Sequence, residues 1–207
     1  MVDDRGQAYS LEGVIGSLLI LAAILFALQS IIITPTTSGT VDADIRSELR
    51  TQANDILVIT AQNESFGLSS LSRYWHQSDL TFFNATNPRV GYGSRELPRD
   101  VGEMLNETFT SRSRLFNIEL RYPSANDTGK VLSTPVVYQG QPSKNAVTAA
   151  YTVTLYDNQT LTSPTSSAVE LWQYDTEPTD NDDGYYPVPN AIEGPIYNIV
   201  EVRLTVW

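Results

Sequence analysis

The chain has 207 residues and a formal net charge of −11, from 24 acidic and 13 basic side chains. It carries no cysteine, which excludes thiol catalysis, cysteine-ligated zinc, iron–sulfur clusters and a disulfide framework. No basic patch is available to neutralise phosphates, so nucleic acid is disfavoured as a partner.

Residues 13–33 form an apolar run with no charge and no proline, and only Gln29 and Ser30 are markedly polar. As a helix the run would be about 31 Å long, against roughly 30 Å of bilayer hydrocarbon. It is longer than the apolar core of a secretory signal, and Ala27-Leu28-Gln29-Ser30 makes a poor cleavage site of that kind. A retained membrane-spanning helix is therefore expected, with the acidic remainder exported. Arg5 is the only basic residue before the run, opposed by Asp3 and Asp4, so the charge signal for orientation is weak. Within the run, Gly13/Ser17 and Ala23/Ala27 are small-xxx-small pairs and Gly16 joins the first. Such pairs let helix backbones approach closely, although they are also common in spans that only face lipid.

Arg5-Gly6-Gln7, six residues ahead of the apolar run, resembles the class III signal of archaeal type IV pilins and archaellins. The resemblance covers about thirty residues. It implies cleavage by a membrane prepilin peptidase between Gly6 and Gln7, leaving Gln7 as the new amino terminus. It further implies extraction by an assembly ATPase and side-by-side packing of the N-terminal helices in a filament core. Glu12 resembles the acidic residue near the start of pilin helices, one position later than the pattern asks. The implied location is the cell membrane before assembly and a surface filament afterwards. The implied partners are copies of the chain or related pilins.

The linker 34–40 contains Pro35 and Gly39, which argue for a break in the helix and a departure from the pilin pattern. From 41 to 61, Ile45, Leu49, Ala53, Ile56 and Leu57 recur at helical spacing and predict an amphipathic helix. A short helix is expected near 68–75, a strand at 80–83, and a helix from about 97 with Val101, Leu105 and Phe109 on one face and Asp100 as its cap.

From Leu115 onward the period becomes two. Alternation predicts strands at 116–122, 147–156, 168–172 and 198–207. Polar outer positions on these strands suggest an antiparallel sheet with one buried side. The expected organisation is a leader, 1–6; a hydrophobic helix, 7–33; a linker, 34–40; and an extracellular α+β head, 41–207, in which the amphipathic helix packs on the sheet.

Five Asn-x-Ser/Thr tripeptides, at Asn63, Asn84, Asn106, Asn126 and Asn158, are candidate N-glycosylation sites, each equally readable as an ordinary Asn turn. With 2 Lys against 11 Arg, the acidic composition suits concentrated salt. Together with the resemblance it suggests a halophilic archaeal source.

Catalytic signatures are absent. His76 is the only histidine, and no Gly-x-Ser-x-Gly elbow accompanies it. Its neighbours Tyr74 and Trp75 suggest an aromatic cluster instead. Asp175, Glu177, Asp180, Asp182 and Asp183 form the one dense oxygen-ligand run, ending at Gly184. Aligned as a calcium loop it places Asn190 where a bidentate acid is required, and the other reading is a solvated acidic loop. Residues 185–189, Tyr-Tyr-Pro-Val-Pro, read as an exposed extended turn. The sequence thus predicts a non-enzymatic filament subunit, without cofactor or metal. Two other readings stand beside it: an uncleaved single-span surface protein with a binding head, and an extracellular enzyme working through carboxylates alone.

Overall fold

A computed structural model describes residues 4–30, 36–175 and 184–207, with side chains over 11–26, 43–175 and 184–207. The chain divides into two compact units, Met1–Asp44 and Ile45–Trp207.

In the first unit, helix α1 runs Asp4–Ser30. This helix does not bear out the expected membrane span. Among the described residues no helix is long and apolar enough to cross a membrane. Positions 31–33 lie outside the described residues, and the apolar side chains described run only from Gly13 to Phe26. Those 14 residues give about 21 Å of helix, well short of roughly 30 Å of hydrocarbon.

Helix α2 runs Thr36–Gln62, so it begins five residues before the expected start at Val41, and positions 36–40 of the expected linker are helical. Pro35 itself lies outside the described residues. The helical stripe runs out towards its N-terminal end: Ile45 is exposed and Leu49 half-buried, while Ala53, Ile56 and Leu57 enter the core.

The second unit is α+β. Helix α3 (Leu68–Ser72) leads into a two-stranded hairpin of β1 (Trp75–His76) and β2 (Thr81–Phe82). Helix α4 is Arg99–Thr108, with Val101, Leu105 and the following Phe109 buried as their spacing predicts. Its cap position is Pro98, and Asp100 lies in the first turn. The main sheet comprises β3 (Phe116–Pro123), β4 (Val131–Val137), β5 (Val147–Tyr156) and β6 (Ile196–Val206) in the order β4-β3-β6-β5, with every pair antiparallel. The last strand is therefore central. Helix α3 lies against β5 of the sheet.

Period-two alternation sorts the faces. Phe116, Ile118, Leu120 and Tyr122 of β3 join Val200, Val202, Leu204 and Val206 of β6 in one core. On the other face, Glu119 lies opposite Arg203 and Arg121 opposite Glu201. Arg203 Nη2 meets Glu201 Oε1 of its own strand at 2.7 Å; across strands, Arg121 Nη1 reaches that same oxygen at 3.6 Å and Arg203 Nη1 reaches Glu119 Oε1 at 3.9 Å. Half-exposed pairs of this kind contribute little energy each, but they disfavour a slipped register.

Strand β4 was not foreseen, because Pro135 sits in its middle. An edge strand tolerates proline where no ladder donor is needed, and the register shifts opposite Ile118 and Glu119 at that point. Residues 168–172 form no strand. Glu170 makes a single bridge to Thr160 and Leu171–Gln173 is a 3-10 turn in which Gln173 Oε1 accepts from Glu170 N at 3.1 Å. The run 185–189 is likewise corrected: Tyr186, Pro187, Val188 and Pro189 are buried. Tyr186 Oη donates to Ser72 O (3.0 Å), and Tyr197 Oη donates to Val188 O (2.6 Å). Asn198, fully buried, donates from Nδ2 to Pro189 O at 2.7 Å. The two prolines remove donors that this buried segment would otherwise have to satisfy.

Four core tyrosines make the fold sensitive to alkali. Burial pushes Tyr122 up to about 12, partly opposed by its 2.6 Å bond to Thr134 Oγ1. Burial also raises Tyr92, Tyr186 and Tyr197, reinforced by neighbouring phenols and, at Tyr197, by Asp157. The fold holds these phenols neutral, whereas in the unfolded chain they ionise near 10. Their contribution is thus fully present below pH 10 and is lost progressively above it, that of Tyr122 as pH rises through about 12 and that of the other three at still higher pH. Urea unfolding followed by fluorescence is expected to show a lower midpoint at about pH 11 than at about pH 8, with tyrosinate absorbance appearing in the same transition.

Candidate functional site

Two regions carry features beyond core formation: the surface of α1 and a cleft in the second unit. On α1, 100° per residue places Gly13, Gly16, Ser17, Ile20, Ala23 and Ile24 on one strip about 120° wide. A Cβ built on Gly13 or Gly16 would meet nothing within 4 Å, so the strip is open. Ser17 Oγ donates to Val14 O at 2.9 Å, which satisfies the hydroxyl inside its own helix. Large apolar side chains occupy the rest of the circumference and are exposed, from Ile15 at 50% to Phe26 at 77%. Glu12 borders the strip and is exposed. Gly6 and Gln7 lie within the helical backbone of α1, as does Ala27, but their side chains are outside those described.

A helix that is apolar all round is normally found buried. The arrangement suits close packing against other apolar helices, because small residues permit approach and the large ones supply contact area.

The five sequons occupy different settings. Asn84, Asn106, Asn126 and Asn158 are exposed. Asn63 is engaged: its Oδ1 accepts from Ser65 N (2.9 Å) and Phe66 N (3.0 Å), and its Nδ2 donates to Asp100 Oδ2 (3.3 Å). Asn63 is thus an Asn turn that ties the end of α2 to the start of α4.

His76 belongs to an aromatic cluster, edge-on to Phe83, which in turn meets Tyr74. Its Nδ1 is 2.9 Å from Asp79 Oδ2 but poorly aligned for a hydrogen bond. Among the described residues no group of three acidic, histidine or cysteine side chains could hold a metal ion. Of the acidic run, only Asp175 and Gly184 are described, joined by Asp175 N donating to Gly184 O at 2.9 Å; positions 176–183 lie outside the described residues.

The cleft has a volume of about 530 Å³ and lies between residues 86–97, α4 and the start of β3. Arg95, Glu96, Asn106, Leu115, Tyr138 and Gln139 help to line it. Gln139 Oε1 accepts from Phe116 N at 2.9 Å, and Arg95 Nη1 donates to Asn84 O at 3.2 Å. Amide, guanidinium and phenol groups suit hydrogen bonding and stacking. Its walls come from three separated segments, each unremarkable alone, so no local pattern announces it.

In class, this is an α+β chain with antiparallel sheets, whose first helix exposes apolar side chains between Leu11 and Phe26. It belongs to a family of unknown function (DUF7288), which matches residues 5–206. Neither a curated protein nor a solved structure matches the chain.

Proposed function

We propose that the chain is a non-catalytic structural subunit of a cell-surface filament, in which copies associate along α1 and present the sheet domain outward. The observation that carries this reading is the exposed apolar circumference of α1. Side chains such as Leu18, Leu19 and Phe26 are 60%, 66% and 77% exposed. At roughly 25 cal/mol per Å² of apolar surface removed from water, covering them supplies a strong drive to associate. Copies of the same helix provide apolar cover together with a strip of small residues for close approach. Repeated contacts that do not close on themselves give an open helical fibre.

Arg5-Gly6-Gln7 supports the same reading, because removal of residues 1–6 would take away Asp3, Asp4 and Arg5 and leave the apolar helix near the new terminus. The acidic head, with exposed acceptors at Asn84, Asn106, Asn126 and Asn158, suits the outside of such a fibre. The test is to shear the cell surface, collect the fibres and weigh the chain. The expected result is a fibre-fraction polypeptide that begins at Gln7. A chain that starts at Met1 and is missing from the fibres would overturn the proposal.

A further inference from the structure

The two edges of the main sheet are built differently. At one edge β4 carries Pro135 and a register shift, and the loop before α4 lies along it. There Tyr92 N donates to Val136 O (2.8 Å) and Tyr138 N donates to Val90 O (3.0 Å). Proline, bulges and covering loops are the usual means of keeping an edge from pairing with another chain. Strand β5, at the other edge, has none of them over most of its length. Its ten residues contain no proline, no glycine and no charge. Its register with β6 is regular as far as Leu155. Among the described residues, β6 is its only strand partner, and no other backbone group bonds to residues 147–155. Half of its N–H and C=O groups therefore point away from β6 without a backbone partner among the described residues, although the short helix α3 lies against part of the strand.

We propose that β5 pairs antiparallel with β5 of a second copy, joining two four-stranded sheets into one of eight strands. Charge favours this occupant. Copies with net charge −11 repel one another, yet residues 145–156 are uncharged and bounded by Lys144 and Asp157. A two-fold antiparallel pairing brings the Lys144 end of each strand to the Asp157 end of the other, so opposite charges meet at both ends.

Register follows from the faces, since opposed residues must share one. With Tyr151 on the two-fold axis, Val147 faces Leu155 and Ala149 faces Val153 on the core side. On the outer side Thr148 faces Thr154 and Ala150 faces Thr152. Both faces then continue across the seam without a mismatch. The contact is isologous and closed, so it is independent of association along α1.

The chain has no cysteine, which makes the test direct. Single cysteines are placed at Thr148, Ala150, Thr152 and Thr154 of the full-length chain in detergent, and a short bismaleimide is added. In the proposed register, positions 150 and 152 each lie about 8 Å from their own copy, and 148 and 154 about 20 Å. Crosslinked dimer is expected at 150 and 152 and not at 148 or 154. Thr152→Lys, on an exposed position, is expected to lower the yield at 150 by roughly tenfold, because it sets two positive charges beside the axis. Equal yields at all four positions, no dimer at 150 and 152, or indifference to Thr152→Lys would each overturn the proposal.

Discussion

Leu204→Ala is expected to lower the stability of the sheet domain by about 3–4 kcal/mol, within the range for fully buried leucines. Leu204 is fully buried on β6, the central strand. It lies opposite Ile118 on β3 and Ala149 on β5. The alanine neighbour has no side chain long enough to fill the space vacated, so the cavity persists and its cost adds to the lost burial. A domain has only about 5–15 kcal/mol of net stability, so the loss is a large fraction of the whole. Thr205→Ala, one residue on and half-exposed on the opposite face, is expected to change stability by no more than about 0.5 kcal/mol. Urea unfolding with an unchanged slope checks both. A loss below about 1 kcal/mol at Leu204 would mean that this side chain is not in a packed core.

Gly91→Ala is expected to be comparably severe for a different reason. Gly91 has φ +58, and an added Cβ would lie 2.0 Å from Val136 O and 2.7 Å from Pro135 O. Both obstacles are backbone, so no flexible side chain can yield. Relief requires lifting the loop off β4, which breaks the Tyr92–Val136 and Tyr138–Val90 hydrogen bonds and disturbs one wall of the cleft. A cost of about 2–4 kcal/mol is expected, or a fall in Tm of roughly 5–15 °C for a unit of this size. Gly129→Ala separates the two effects. Gly129 has φ +88 but open space around it, so only the conformational cost of about 1 kcal/mol applies. Equal effects at the two glycines would refute the clash.

These two sites mark what the sequence made legible and what it hid. Strands β3, β5 and β6 could be read directly, because in each the more buried positions alternate with less buried ones over at least seven residues. Leu204 was visible as a core residue on that basis. Strand β4 was hidden because Pro135 removes a donor, and only its edge position makes that harmless. Edge or centre is a property of the assembled sheet. The same limit hid the loop on β4 and hence the requirement for glycine at position 91.

Tyr186–Pro189 was misread because turn-forming residues are equally suited to a buried strap when the Tyr197 hydroxyl and the Asn198 amide satisfy its carbonyls. The stripe of α2 was legible, but the start of the helix was not, since Pro35 is as compatible with the entry to a helix as with the end of one. The apolar character of α1 was plain from residue 13 onward. Its membrane-spanning length was not sustained among the described residues. The small residues of α1 could be named from their spacing, but their openness at Gly13 and Gly16 required the structure.

Association along α1 is the central claim, and one substitution tests it most directly. Leu19 is 66% exposed on α1, and Leu19→Glu places a charge where apolar helices would meet. Cells producing the variant in place of the normal chain are sheared, and the fibre fraction is measured beside the melting of the purified protein. The account predicts loss of the chain from the fibres with the sheet domain melting unchanged. Normal amounts of Leu19→Glu chain in the fibres would contradict it.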